Sequence, residues 1–297
     1  MRIGFRPDKN IGIFDPAASS LSANRTKLVA VIVPTIDHAI FSKIVAGQTS
    51  VLENANQSLL IAYNGYSIGK EETLVERFMA CKVSGMVLVG QSRRERTRQL
   101  LQSFKTPAVE LLECDGAAVD MAIGFSNFDA SYEITMGLVN RGRRHIGFIS
   151  ALPGGNDRVQ RRLQGYLAAL KDAGLATRPA YVAHAGFFIE YGRQAFAQMY
   201  EAAPEIDAVV SNDILGLGVQ LQCSRMNLSV PRDIAITSFD NPELSSILKT
   251  RLTTVRIEGH ALGAAAGTKL LVRQSGQDAD EPIVDLQCET LWRETTP

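Results

Sequence analysis

The feature that most constrains the fold of this chain is a regular alternation of short apolar runs with longer amphipathic stretches. The run LVAVIVP at residues 28–34 is rich in β-branched side chains and ends at a proline, which is typical of a strand buried on both faces. The next stretch, residues 41–55, repeats its apolar side chains at the spacing of one helix face. The alternation continues to PAVELLE at residues 107–113. A series of this kind predicts a doubly wound parallel sheet.

The alternation begins again in the second half of the chain. DASYEITMGLVNRG at residues 129–142 is predicted to be a helix ending at a glycine, and HIGFIS at residues 145–150 to be a strand. Two α/β series in succession predict an α/β protein with two similar Rossmann-like lobes, each with a parallel sheet, and a cleft between them. We expect the first lobe to comprise residues 27–126 plus 257–284 and the second 127–256 plus 285–297, with crossings near Asn127, Val255 and Asp285.

The charge of the chain is balanced. Lys plus Arg and Asp plus Glu each number 31 in 297 residues, so the formal net charge is zero. A domain that binds nucleic acid by itself usually carries a basic excess, so this composition argues against such binding by these residues alone. Two arginine clusters stand out, and we interpret both as solvated helix faces: Arg93, Arg94, Arg96 and Arg98, and the pair Arg161 and Arg162.

Cysteine spacing and hydropathy indicate in which cellular compartment the protein is expected. The cysteines form no CxxC or Cys/His ligand spacing, so we expect reduced thiols in a cytoplasmic protein and no metal site. These are Cys81, Cys114, Cys223 and Cys288. The first residues contain no apolar signal-peptide core, and no window approaches the ~18 apolar residues of a membrane span. Export to a periplasm is therefore disfavoured.

Several segments, in order, resemble the lactose-repressor family of bacterial transcription regulators. Residues 1–26 are rich in Pro, Gly, Ser and Asn, and GFRP followed by AASSLSANRT resembles the hinge that joins the family's DNA-binding head to its core. LVAVIVPTIDHAIFSKIVAG resembles the first strand and helix of that core. Further matching blocks are VSGMVLVG, NRGRRHIGFI, RRLQGYLAALKDAGL, AVVSNDILGLGV, LSVPRDIAITSFDN and LTTVR. NGYS, RTRQLL, PAVELLE and DMAIGFSNFDAS are most similar to the gluconate-repressor branch.

The resemblance covers nearly the whole chain and implies a fold like that of type I periplasmic binding proteins. It also implies a homodimer that senses a small-molecule effector and controls binding to operator DNA, with a coupling of ~1–3 kcal/mol. The helices that begin at Phe41 and lie around Arg98 are candidate dimer surfaces. The family's helix-turn-helix is absent, since Met1 already lies at its end, and IGIFDP looks inserted in the hinge. A trimmed sequence, a misplaced start and a naturally headless partner of an intact regulator all stay open.

Polar residues that follow strands of the second lobe are candidate ligand contacts, because ligands bind beyond the carboxyl ends of strands. Asp240 ends the strand IAITSF, and its alternative role is an Asx turn. Asn212 follows AVVS; it or Asp213 can cap the next helix, and the resemblance places Asn212 in the pocket with Asp213 as the cap. The resemblance also implies that Arg162 grips the effector, whereas a surface salt bridge is the alternative.

The remaining candidates come from loops on both sides of the cleft. Asn156 and Arg158 match positions that contact the effector in the purine-repressor branch, and Phe187 matches an aromatic residue that packs against it. In the first lobe, the loop and first turn after residues 28–34 contribute Thr35, His38 and Phe41. A capping role for the histidine and a core role for the phenylalanine compete with ligand contact.

No catalytic motif is present: the sequence lacks GxSxG, HExxH, a Walker loop and GxGxxG. We therefore expect an effector-sensing domain that is not an enzyme and needs no cofactor. A sugar acid such as gluconate, or a sugar, is the expected effector. A transport-type sugar-binding protein of the same fold is the alternative.

Overall fold

The computed structural model describes residues 26–103, 106–152, 154–241, 243–277 and 281–296. The predicted hinge segment at residues 1–26 lies outside the described residues except for Thr26. Labels below number the helices and strands in chain order within the described part.

The first lobe is built on a parallel six-stranded sheet with the order β11-β5-β4-β3-β1-β2. Its strands are β1 Leu28–Val33, β2 Ser58–Tyr63, β3 Gly85–Val89, β4 Ala108–Leu111, β5 Met121–Gly124 and β11 Ile283–Asp285. Its helices are α1 Ala39–Asn54, α2 Ile68–Ala80, α3 Glu95–Ser103 and α9 Gly259–Gln274.

The second lobe repeats this arrangement with the order β12-β10-β9-β8-β6-β7. Its strands are β6 Ile146–Ala151, β7 Val182–Ala185, β8 Ala208–Ser211, β9 Ala235–Phe239, β10 Thr253–Arg256 and β12 Glu289–Leu291. Its helices are α4 Asn127–Asn140, α5 Asp157–Asp172, α6 Ile189–Ala202, α7 Asp213–Arg225 and the short α8 Glu243–Ile247, with a 3₁₀ turn at Pro179–Tyr181. The sheet is parallel except for β12, which pairs antiparallel with β10 at the edge.

Strand β1 shows why its sequence is a continuous apolar run. Val29 and Val31 pack in the cluster formed with α1 and α9, whereas Ala30 and Ile32 pack on the other face with Val75 of α2. Because helices cover both faces, Val29 to Val33 are all buried, and only Leu28 at the start of the strand is partly exposed. The two-lobed α/β fold predicted from the sequence is confirmed.

Glycines let α1 and α9 pack backbone to backbone. A Cβ at Gly47 would overlap the carbonyl oxygen of His260, and one at Gly263 would overlap that of Ile44. These contacts attach α9 to the first lobe, although α9 follows most of the second lobe in the sequence.

The interpretation of both arginine clusters as solvated helix faces is wrong in part. The side chain of Arg93 is 0% exposed and lies between Glu71 and Glu110. Arg162 is buried at 6% exposure. By contrast, the side chains of Arg94 and Arg96 are 55% and 69% exposed, as predicted. The two buried cations have carboxylate partners that come from distant parts of the chain, which a helical pattern does not reveal.

In the part of the chain that the structure describes, no helix is both long and apolar enough to cross a membrane. Those residues also bring together no group of three or more His, Cys, Asp or Glu side chains that could hold a metal ion. The four cysteines are free.

Candidate functional site

The carboxyl ends of the strands in the two lobes face each other across a narrow cleft. Asp157, at the start of α5, accepts the backbone N–H of Ser92 at 2.9 Å and also that of Gln91. Gly155 has a positive φ of 70°, and a Cβ there would overlap the carbonyl oxygen of Tyr66. The loops after β2 and β3 of the first lobe therefore touch the start of α5, and the cleft is closed.

Arg162 lies on the second-lobe side of the cleft, where α5 meets the ends of β9 and α4. Its Nε donates to Asn127 Oδ1 at 2.8 Å, and its Nη2 lies 3.6 Å from Asp240 Oδ1. The guanidinium carbon lies 4.0 Å from the ring centroid of Phe239. The aromatic face and the two oxygen partners hold the planar guanidinium in one orientation.

Asp240 follows β9 directly, as the strand-end argument predicts. Its side chain is 16% exposed, so it is shielded but reachable. Both Asp240 and the next residue, Asn241, adopt positive φ angles, of 71° and 45°. Asp and Asn adopt positive φ more readily than other non-glycine residues, but normally as single residues.

Asn212, at the end of β8, contributes an unsatisfied acceptor. The residue is 2% exposed and occupies the N-cap position of α7 without a side-chain capping bond. Its Oδ1 is buried and has no hydrogen-bond partner among the described residues. The side chain of Asp213, the predicted cap, lies outside what the structure describes.

Aromatic rings from both lobes meet on one side of the cleft. Phe187, after β7, packs edge-on against His38 of the first lobe with ring centroids 4.1 Å apart. It also stacks with Tyr66 at 6.0 Å and an interplanar angle of 5°. Burial lowers the pKa of His38, and the negative charges of Asp240 and Asp37 oppose that shift. The imidazole is therefore mainly neutral near pH 7 and can both donate and accept a hydrogen bond.

Three other predicted residues, Thr35, Phe41 and Asn156, make contacts within their own lobe. Thr35 is half-buried and bonds to Asp37 at 3.3 Å. Phe41 is 4% exposed in the first-lobe core, with its ring 6.0 Å from His38. Asn156 is buried and caps α5 by accepting the backbone N–H of Val159 at 3.5 Å.

Arg158 is buried beside the carboxylate that crosses the cleft. Its Nη1 donates to Asp157 Oδ1 at 3.2 Å. A Cβ on Gly90, which has a φ of 76°, would overlap both side chains. Arg158 thus lies at the contact between the lobes, one helical turn before Arg162 on α5.

Sequence reasoning missed Glu113, which lies two residues after the end of β4 and faces the same cleft. The residue is 2% exposed, its Oε1 accepts the backbone N–H groups of Cys114 and Asp115, and its Oε2 accepts from Asn127 Nδ2 at 3.2 Å. Burial raises the pKa of this carboxyl group. The available signal was its place at the end of PAVELLE, the same signal that identified Asp240.

Chemically, the cleft offers carboxylates, amides, a neutral imidazole, guanidinium groups and aromatic faces. Carboxylate and amide oxygens accept hydrogen bonds from hydroxyl groups, guanidinium groups donate to oxygen atoms, and aromatic rings pack on C–H surfaces. This set suits binding of a polar small molecule.

Comparison with known proteins agrees with the architecture. Residues 136–296, more than half of the chain, match the family model of the periplasmic binding protein-like domain. The HTH-type transcriptional regulator GntR of Escherichia coli K12 is 27% identical over 278 residues, which is 93% of this chain and 83% of the relative. GntR of Pseudomonas aeruginosa is 29% identical over 293 residues, covering 96% of this chain and 83% of that protein.

Solved structures match over almost the same span. The transcription regulator GntR from Chromobacterium violaceum has a TM-score of 0.85 at 26% identity and covers 91% of this chain and 99% of that chain. A LacI-family regulator from Silicibacter pomeroyi has a TM-score of 0.87 at 25% identity, covering 92% of this chain and 83% of that chain.

The fold and the cleft define a periplasmic binding protein-like domain, and the chain belongs to that family. Because its relatives are transcription regulators, the chain is the effector-binding core of a regulator of the lactose-repressor (LacI) family. The family resemblance predicted from the sequence is confirmed.

Proposed function

We propose that the cleft binds a small polyhydroxylated metabolite, a sugar or a sugar acid such as gluconate, and that closure around it controls operator binding. The buried Asn212 Oδ1, which has no hydrogen-bond partner among the described residues, carries this proposal. Leaving a buried acceptor unsatisfied costs roughly 1–3 kcal/mol. A ligand hydroxyl group that donates to it would remove that penalty and provide specificity.

The nine residues predicted from the sequence take different parts in this proposal. Hydroxyl groups contact the polar residues at strand and helix ends, and the ligand's C–H surface packs on the aromatic residues. The polar residues are Thr35, Asn156, Arg158, Arg162, Asn212 and Asp240, and the ring-bearing residues are His38, Phe187 and, beneath His38, Phe41. Glu113 joins them as a further acceptor.

The charges of the cleft bear on whether the ligand is an acid. Arg162 has Asp240 at 3.6 Å and Arg158 has Asp157 at 3.2 Å, so each guanidinium already has a carboxylate beside it. A sugar acid binds as the second anion at one of these cations, whereas a neutral polyol needs only the hydroxyl acceptors. Gluconate and sorbitol have the same number of carbons, but only gluconate carries a carboxylate. Comparing their binding therefore decides whether the ligand is an acid.

The wider function follows from the relatives, which are regulators. We propose a homodimer in the cytoplasm that contacts operator DNA through a separate DNA-binding head, with no catalytic activity. The lobes, residues 27–126 plus 257–284 and 127–256 plus 285–297, move as the units of closure. A transport-type binding protein is the second candidate function. The relatives, which are regulators, favour the regulator function over it.

A thermal-shift series tests the binding site. Gluconate, sorbitol, glucose and ribose are compared on the wild-type chain and on N212A, R162A and D240A. Ligand at ~100 times its dissociation constant adds ~2.7 kcal/mol to stability, enough to raise the melting temperature by a few degrees. R178A, which alters an exposed ion pair with Glu205, is the control.

A compound that stabilises the wild type and R178A but not the three cleft variants supports the proposal. Stabilisation that all variants retain places the ligand elsewhere. A response to sorbitol and none to gluconate removes the sugar-acid assignment while leaving the site in place.

A further inference from the structure

The loop that carries Asp240 into the cleft has an unusual backbone. Asp240 and Asn241 are consecutive non-glycine residues with φ of 71° and 45°. Asp and Asn tolerate left-handed angles as single residues, so two in succession require support from neighbouring groups. The position of the Asp240 carboxylate therefore depends on what holds Asn241.

Asn241 is held by contacts from three directions. Its side-chain Oδ1 accepts from Arg293 Nη2 at 2.9 Å and from Ser245 Oγ at 3.4 Å. Its backbone N–H donates to Thr254 Oγ1 at 3.1 Å. Arg293 is the only charged group in this set, and hydrogen bonds from a charged donor are the strong ones.

Arg293 also fixes the segment on the far side of the loop. Its Nη1 donates to the carbonyl oxygen of Leu252 at 3.0 Å and lies 3.3 Å from Ser245 Oγ. Its own backbone N–H donates to Thr253 Oγ1 at 2.8 Å, which anchors the end of the chain beside β10. The planar guanidinium fork thus joins the C-terminal segment, the start of α8 and the loop after β9 in one arrangement.

We propose that Arg293, which lies outside the cleft, is the positioning residue for Asp240, acting through Asn241 to hold the carboxylate where it faces Arg162 and His38. Its consequence for ligand affinity rests on the proposed function of the cleft. The positioning itself does not, because the imidazole of His38 responds to Asp240 whether or not a ligand is known.

His38 provides the measurement. The charged groups that act on it are Asp240 and Asp37, and both raise its pKa against the lowering effect of burial. Moving Asp240 away must therefore lower the pKa of His38. Removing a positive charge such as Arg293 has the opposite direct effect, since a lost cation makes protonation easier. The sign of the change separates displacement of Asp240 from simple loss of a cation.

The experiment is an NMR pH titration of the four histidines in the full chain. D240N sets the reference for complete loss of the carboxylate charge. We expect the pKa of His38 in R293M to fall below the wild-type value, toward that of D240N. R251M is the matched control, because Arg251 pairs with Glu294 in the same segment; there the pKa should stay at or above the wild-type value.

A second variant guards against loss of folding. In N241G the glycine accepts the positive φ, but the Oδ1 that Arg293 binds is gone, so the pKa of His38 should again fall. A His38 pKa at or above the wild-type value in R293M, or in N241G if R293M does not fold, overturns the proposal.

Gluconate binding adds the functional readout. If gluconate binds the wild type, R293M should weaken its affinity about tenfold or more, as D240N does, while R251M does not. If gluconate does not bind the wild type, that part of the proposed function fails, and the His38 titration still decides the role of Arg293.

Discussion

The carboxylate of Asp157 in the second lobe accepts the backbone N–H of Ser92 in the first lobe at 2.9 Å. The same oxygen accepts the N–H of Gln91, and the Asp157 side chain is only 14% exposed. Arg93 donates to the carbonyl oxygen of Gly90 at 2.6 Å and so fixes the loop that presents these N–H groups. The Asp157 carboxylate thus links the two lobes through two backbone N–H groups.

Replacing this carboxylate should open the cleft. Hydrogen bonds to a charged group contribute about 1.5–3 kcal/mol each, so D157A should reduce the closed population about tenfold or more. The radius of gyration from small-angle X-ray scattering should rise, and the Ser92 amide should exchange its hydrogen faster. D172A is the control, because Asp172 ends the same helix and accepts a hydrogen bond from Tyr132 within the second lobe. Unchanged scattering from D157A would contradict this assignment.

Gly155 should be required for closure rather than for folding. G155A places a methyl group against the Tyr66 carbonyl, so the closed form should be lost. G174A is the matched variant, because Gly174 has a similar φ of 66° but open space around it. Both substitutions should lower stability by about 1 kcal/mol or slightly more from backbone strain. Only G155A should change the scattering profile, and an equal effect of the two would argue against the contact.

Arg93 and Arg94 are adjacent, yet they should differ sharply in their effect on stability. R93A leaves Glu71 and Glu110 buried without their cation and should lower the free energy of unfolding by about 3–5 kcal/mol. R94A removes an exposed pair with Glu72 and should cost under about 1 kcal/mol. Urea denaturation measures both. Similar midpoints for the two variants would show that the buried ion cluster contributes little.

The lowered pKa of His38 predicts a pH dependence of stability. The folded chain binds fewer protons at His38 than the unfolded chain between its lowered pKa and the ordinary value of 6.5. Stability should therefore rise with pH through that window, be complete above it, and be lost as the pH falls through it. Denaturation at about pH 5 and about pH 7.5 should show a smaller difference in H38N than in wild type. An identical difference would place the pH dependence elsewhere.

The sequence predicts the fold well because the fold depends on local patterns. Leu28–Val33 form a strand that packs on both faces, and the repetition of the α/β series corresponds to the two sheets. Asp240 was found because a carboxylate after an apolar strand is visible in the chain itself. The antiparallel pairing of β12 has no such local signal, since it depends on where a short final strand meets β10.

The cleft was predicted less completely because its arrangement depends on long-range partners. Arg93 looked like part of a solvated helix face, but Glu71 and Glu110 enclose it. Phe41 fitted both a core and a ligand role, and it lies in the core. Glu113 met the same strand-end criterion as Asp240 and was passed over.

The close packing of α9 against α1 has a consequence for synthesis of the chain. The first lobe begins at β1 but lacks α9 and β11 until residues 259–285 have been made. The second lobe in turn lacks β12 until residues 289–291 follow. During synthesis on the ribosome, each lobe stays incomplete until its last elements, near the end of this chain, have been made. Premature termination before β11 should therefore disable both lobes at once, whereas a stop between β11 and β12 should affect only the second.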